Sequence, residues 1–179
     1  LYGKSMGQEL VDPTIRTELF QMVDDFSKNS HKNFKFLGDD ELAILKKYKH
    51  MACFNTKQKS IYLLLTRLNQ VNHCFYVNKI TQQIVSVNHG FPNNLYQGTL
   101  FEGEVLKCLG KEQVFLISDI VYYCNESCEK KDLIERLKIL DGIMTHYTVL
   151  PNENYQVIIK DFVDYSKLES FIKEYLKTL

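Results

Sequence analysis

The sequence predicts an α+β fold in which helices flank a largely antiparallel β-sheet. Three observations point there. A helix-start signal followed by an apolar stripe opens the chain; short runs rich in β-branched and aromatic residues, broken by Asn, Gly and Pro, fill positions 50–121; and helical periodicity returns towards the end. Length bounds the rest, because 179 residues with 45% hydrophobic content suffice for one substantial core, so a single domain is expected over 1–179. A start at Leu1 rather than Met, and an end on a helix, predict a piece of a longer chain.

The first helix follows from Asp12-Pro13, a capping side chain with proline at the first helical position. Ile15, Leu19, Met22, Val23 and Phe26 then recur at helical spacing. A short helix is expected over 40–48 with Leu42 and Leu45 inward. Strands are expected over 51–54, 61–67, 74–78, 84–87, 100–106 and 114–122. Positions 69–72 read as a hairpin turn, which makes the second and third strands antiparallel neighbours. A helix over 131–144, a strand over 155–160 and a helix after Asp164, with Leu168, Phe171, Ile172 and Leu176 on one side, complete the order.

Charge and cysteine usage exclude several classes. Twenty-two basic residues balance 22 acidic ones, so no global field draws the chain to nucleic acid or membrane, and any nucleic-acid contact must be local. No apolar run approaches the roughly 20 residues of a membrane span, and the N-terminus lacks signal-peptide character; a soluble, intracellular protein is expected. The cysteines Cys53, Cys74, Cys108, Cys124 and Cys128 are odd in number, with no pair two residues apart, so free thiols are expected. Cys124 and Cys128 with His146 lack a fourth ligand, and no zinc is expected. His31, His50, His73, His89 and His146 show no ligand spacing and receive no role, and the Tyr and Phe content reads as core.

Chemistry is expected around 99–106, where Glu102 and Glu104 flank Gly103 inside an apolar strand. Alternation puts both carboxylates on one face, and Gly103 would let a partner backbone or a nucleotide approach. Burying two like charges requires a cation or ligand; a solvent-facing edge strand is the other reading. Asp119 repeats the puzzle in the middle of an apolar run, and either Arg136, on the helix that follows, or a ligand would answer it.

Taken in order, these segments resemble the covalent nucleotidyltransferases, and within them the mRNA capping guanylyltransferases. Phe36-Leu37-Gly38 is similar to a Phe-Pro-Gly segment, and His50-Met51-Ala52-Cys53-Phe54-Asn55 to the strand leading to the lysine motif. Tyr62-Leu63-Leu64-Leu65 looks like the strand after that motif, and Cys74-Phe75-Tyr76-Val77-Asn78-Lys79 like the strand ending in Asp-Arg, with Lys79 in place of the arginine. Phe91-Pro92 and Thr99-Leu100-Phe101-Glu102-Gly103-Glu104 are similar to the Phe-Pro and Thr-Leu-Leu-Asp-Gly-Glu segments. Phe115-Leu116-Ile117-Ser118-Asp119-Ile120 and Ile158-Ile159-Lys160-Asp161-Phe162 look like the two motifs beyond. The resemblance implies a nucleotidyltransferase domain of the ATP-grasp or ligase-like adenylation kind, here without the C-terminal oligonucleotide-binding fold.

The departures bear on activity. In the family, the lysine of a Lys-x-Asp-Gly motif attacks the α-phosphate of GTP and carries GMP as a phosphoramidate. Here Thr56 aligns with that lysine, or Asn55 after a shift of one, and Ser118 stands where an aromatic stacks on the purine. Lys57 and Lys59 lie close in sequence, and their mutual repulsion favours deprotonation of one, so Lys57 is the candidate nucleophile. The resemblance implies nucleotide contacts from Lys79, Glu102, Glu104 and Asp119, with Glu104 also a metal ligand for Mg2+ or Mn2+ and GTP as substrate. Two functions follow. One is a guanylyltransferase-like domain of a capping apparatus, either active or degenerate and reduced to binding a nucleotide, an RNA 5′ end or another capping or transcription subunit. The other is a non-catalytic scaffold or cap-binding module on the same fold. Either places the chain in the nucleus, or in the cytoplasm if it is viral.

Overall fold

Two residues in the left-handed region, Asn69 (φ 50°) and Gln70 (φ 68°), reverse the chain between β3 (Ile61–Leu68) and β4 (Val71–Asn78). That geometry matches the twist of antiparallel strands, so the hairpin expected at 69–72 forms with a two-residue loop. The computed structural model describes residues 7–30, 38, 43–45, 47–56, 58–107, 113–151, 153 and 155–177. The short helix expected over 40–48 is helical at 43–45 and 47; its other core residue, Leu42, lies outside the described residues, as does Phe36-Leu37 of the Phe-Pro-Gly-like segment.

The chain forms two compact units. The first, residues 1–31 and 58–159, is an eight-stranded sheet in the order β1-β5-β4-β3-β6-β7-β8, with β9 also on β7. Its further strands are β1 (Gln8–Glu9), β5 (Gln83–Val87), β6 (Thr99–Lys107), β7 (Gln113–Tyr123), β8 (Glu126–Ser127) and β9 (Tyr155–Ile159). All pairings are antiparallel except β7 with β9. A parallel pair needs a crossover, and α2 (Leu133–Thr145) supplies it. Among the described residues, no helix is long and apolar enough to cross a membrane.

Each face of the sheet is covered by one helix. α1 (Pro13–Ser27) starts where Asp12 accepts hydrogen bonds from the backbone N–H groups of Thr14 and Ile15, as the Asp-Pro signal requires. Its Leu19 and Val23, both fully buried, pack on Leu64, Phe75, Val77, Ile84 and Leu100. Each such side chain contributes roughly 1.5–3 kcal/mol by leaving water. α2 begins with a capping box between Asp132 and Glu135 and buries Leu140 and Ile143 against the other face, with Phe91, Phe101, Phe115 and Ile120. The fold is therefore α+β, with a mostly antiparallel sheet flanked by helices.

The second unit, residues 32–57 and 160–179, holds a two-stranded sheet of β2 (Met51–Ala52) and β10 (Val163–Asp164). Asp164 accepts from the Ser166 backbone N–H, turning the chain through a short 3-10 helix (Tyr165–Lys167) into α3 (Leu168–Lys177). Phe171 of α3 stacks on Phe54, with ring centroids 4.8 Å apart, which ends the strand expected over 51–54 early and turns its last residue to packing.

Candidate functional site

The pairing of β3 decides where the acidic residues lie. Tyr62 is opposite Val77 of β4 on one side and Glu102 of β6 on the other. The segment that carries Lys59 therefore runs into the sheet between the end of β4 and the acidic part of β6. Lys59 is exposed, and Lys57 lies outside the described residues. Glu102 and Glu104, two apart on a strand, share a face with Leu100, which is the α1 face of the sheet. Glu104 is only 7% exposed and Glu102 half-buried, so the acidic pair is not an outward-facing edge.

Gly103 points the other way and has a packing reason to be glycine. A Cβ there would sit 2.5 Å from the Leu116 carbonyl oxygen and 2.7 Å from the Phe115 ring. Of the two approaches expected at this residue, a partner backbone or a nucleotide, the backbone of the neighbouring strand is the one present, with a core phenylalanine beside it.

Asp119 lies opposite Glu102 in the β6–β7 register, but its carboxylate belongs to Arg136 of α2. The guanidinium grips both oxygens, Nε to Oδ1 at 2.7 Å and Nη2 to Oδ2 at 3.3 Å, and donates a further bond to the Lys131 carbonyl. Of the two partners open to Asp119 in the sequence, the arginine is the one in contact. Irregularities in β7 allow this. The register slips between Leu100 and Phe101 and between Glu102 and Gly103, leaving Val121 and Ser118 as extra residues. Ser118 donates its hydroxyl to the Glu102 carbonyl at 3.2 Å. Lys79, in the turn after β4, makes an ion pair at 2.5 Å with Asp24 of α1.

The fold thus gathers Glu102 and Glu104 beside the entry of β3, with Lys79 just beyond the end of β4, while Asp119 is engaged on a helix. Among the described residues no three His, Cys, Asp or Glu side chains converge to hold a metal. Two carboxylates on one face nevertheless suit Mg2+, which keeps most of its shell for phosphates and water and takes one or two protein carboxylates.

A second constellation was not legible in the sequence. His89, with a fully buried side chain, bonds through Nδ1 to the Glu153 carboxylate and through Nε2 to the Tyr76 hydroxyl at 2.8 Å. Tyr147 reaches Nδ1 at 3.2 Å, and Tyr96 donates to the His89 carbonyl at 3.1 Å. Since that proton of Tyr96 is committed, the Cys74 thiol donates to the Tyr96 oxygen at 3.3 Å. Burial pushes this thiol up to about 11 and the Tyr76 phenol well above its usual range, so neither is a nucleophile at neutral pH. Burial also lowers the His89 imidazole, an effect Glu153 opposes without cancelling. The only sequence signal was a histidine beside Gly90-Phe91-Pro92; its partner lies 64 residues away.

No protein-family model matches this chain, and no curated protein matches it.

Proposed function

We propose that this chain is a guanylyltransferase-like nucleotidyltransferase domain of an mRNA 5′-capping apparatus, degenerate at its lysine motif, which acts by binding a nucleotide or a partner subunit. The observation that carries the reading is the placement of Glu102 and Glu104 on one face of β6, beside the point where the lysine-bearing segment enters β3. In a nucleotide site, that acidic pair holds ribose hydroxyls or a divalent ion, and Lys79 on the neighbouring strand end lies near enough in the register to answer phosphate charge. The ion, once bound with the nucleotide, spreads the negative charge of the phosphates.

Loss of the motif lysine at Thr56 favours binding over catalysis, because a hydroxyl offers no phosphoramidate chemistry. The Asp119 and Arg136 pair adds to this, since it commits one of the implied nucleotide contacts to holding α2.

The test is a thermal-stability titration with GTP and ATP in Mg2+ or Mn2+, run beside labelling with radioactive GTP. GTP is expected to raise the melting temperature more than ATP, since any ligand of the native state does so, and no covalent adduct is expected. An acid-labile, alkali-stable adduct that disappears in Lys57→Ala would overturn the degenerate assignment. A melting temperature indifferent to both nucleotides would favour the scaffold or cap-binding reading instead.

A further inference from the structure

The His89 constellation joins two distant parts of the first unit. His89 lies in the loop after β5, whereas Tyr147 and Glu153 belong to the connection between α2 and β9. Alongside, Thr148 donates its N–H to the Gly90 carbonyl at 2.9 Å, and the Thr148 oxygen sits only 1.7 Å from where a Cβ of residue 90 would be. Gly90 is thus what lets the connection come down onto the loop. Phe91 and Tyr147 meet edge to face, with centroids 4.9 Å apart. Glu153 also accepts from the Leu150 N–H at 3.2 Å, closing the turn that leads into β9. Beside the pair lies a pocket of about 80 Å3 lined by His73, Cys74, His89, Tyr96 and Leu150 among others.

The proton count of this network has one best solution. With a neutral imidazole, Nδ1–H donates to the Glu153 carboxylate and Nε2 accepts from the Tyr76 hydroxyl, so every group has a partner. A second proton on the imidazole puts an N–H against that hydroxyl. The phenol must then turn its own proton away, towards the rings of Phe115 and Tyr155, and gives up the imidazole as its acceptor. Among the described residues, the titratable groups around His89 are Tyr76 and Cys74 from β4, Tyr96 from the 3-10 helix (Asn93–Gln97), and Tyr147 and Glu153 from the connection, with Tyr155 of β9 behind Tyr76 and His73 of β4 on the wall of the same pocket. Glu153 is the one carboxylate among these, and it also accepts from the Leu150 N–H.

We propose that His89 and Glu153 form a pH-sensitive latch that holds the α2–β9 connection on the sheet and releases it on mild acidification. The direction follows from linkage. A histidine whose folded value lies below its free value of about 6.5 adds stability that is complete above that pH and is lost as pH falls through the folded value. Release exposes the pocket wall at Leu150 and loosens the first residues of β9. The inference does not depend on nucleotide binding.

Hydrogen exchange of the full chain, corrected for intrinsic rates, tests it at pH 7.5 and 5.5. Protection of peptides spanning Tyr147 to Leu150 is expected to fall about tenfold between the two, the factor for one unit of unmatched titration. In His89→Gln, whose amide donates to Glu153 and accepts from Tyr76 without titrating, protection at pH 7.5 is expected to persist and the pH difference to vanish. Should that variant not fold, NMR of labelled histidine in the unaltered protein serves: the His89 resonance is expected to titrate below pH 6.5 together with the loss of protection. Unchanged protection at pH 5.5, an equal pH effect in a folded His89→Gln, or titration of His89 with no change at Tyr147 to Leu150 would each overturn the latch.

Discussion

Single residues in this protein owe their identity to neighbours that the sequence places far away. Gly103 reads as room for a partner backbone or a nucleotide when only its strand is considered, and its missing Cβ accommodates the Leu116 carbonyl and the Phe115 ring. Asp119 shows the same limit from the other side. Its burial within an apolar run and its Arg136 candidate were legible, because a mid-strand carboxylate needs a cation and the next helix offers one. That Arg136 takes a bond to each carboxylate oxygen of Asp119 became visible only in the structure. Replacing Arg136 with Met removes the guanidinium from both oxygens of Asp119, which is 7% exposed. A loss of about 3 kcal/mol is expected on urea denaturation, the usual consequence of orphaning a buried charge. Cys74 yields a pH prediction. Its folded value of about 11 exceeds the ordinary 9.0, so its contribution is complete below pH 9 and disappears as pH rises towards 11. A thiol reagent at pH 8 is expected to modify exposed Cys53 quickly and buried Cys74 only on unfolding, as mass spectrometry of the labelled peptides would register.

At the level of elements, long periodic segments were legible and short ones were not. The stripe of Leu19 and Val23, the Asp12 cap and the strands β3 to β7 follow from local pattern, because each buries a face that repeats with the period of its own secondary structure. Of the two-residue strands, β2 falls within the strand expected over 51–54, whereas β1, β8 and β10 have no period to read and depend on partners elsewhere in the chain. The turn at Asn69 and Gln70 was legible as a turn, although its second position carries a side chain that resists the left-handed region. Gln70→Gly removes that resistance at the cost of a freer unfolded chain, and a net gain of about 0.5–1 kcal/mol is expected in thermal or urea unfolding. Cys124 and Asn125 repeat the device between β7 and β8, with φ of 47° and 67°.

Across the whole molecule, the sheet order brings together residues that no window of sequence contains. The acidic pair was legible because both carboxylates sit on one strand, whereas the His89 network draws on β4, a loop, a 3-10 turn and the α2–β9 connection, and only the topology assembles it. Sheet closure around β7 has a consequence for how copies of this protein meet one another. β9 pairs with that strand up to Ile117 and β8 from Tyr122, and among the described residues no strand pairs with the buried stretch between them on that side. Such a stretch is where a foreign strand would begin to add. Here the Asp119 side chain occupies the Ile120 donor, the Cys128 N–H binds the Val121 carbonyl, and the Arg136 guanidinium holds the Asp119 carboxylate. Main-chain groups that an added strand would need are thus already taken beside the contact that anchors α2.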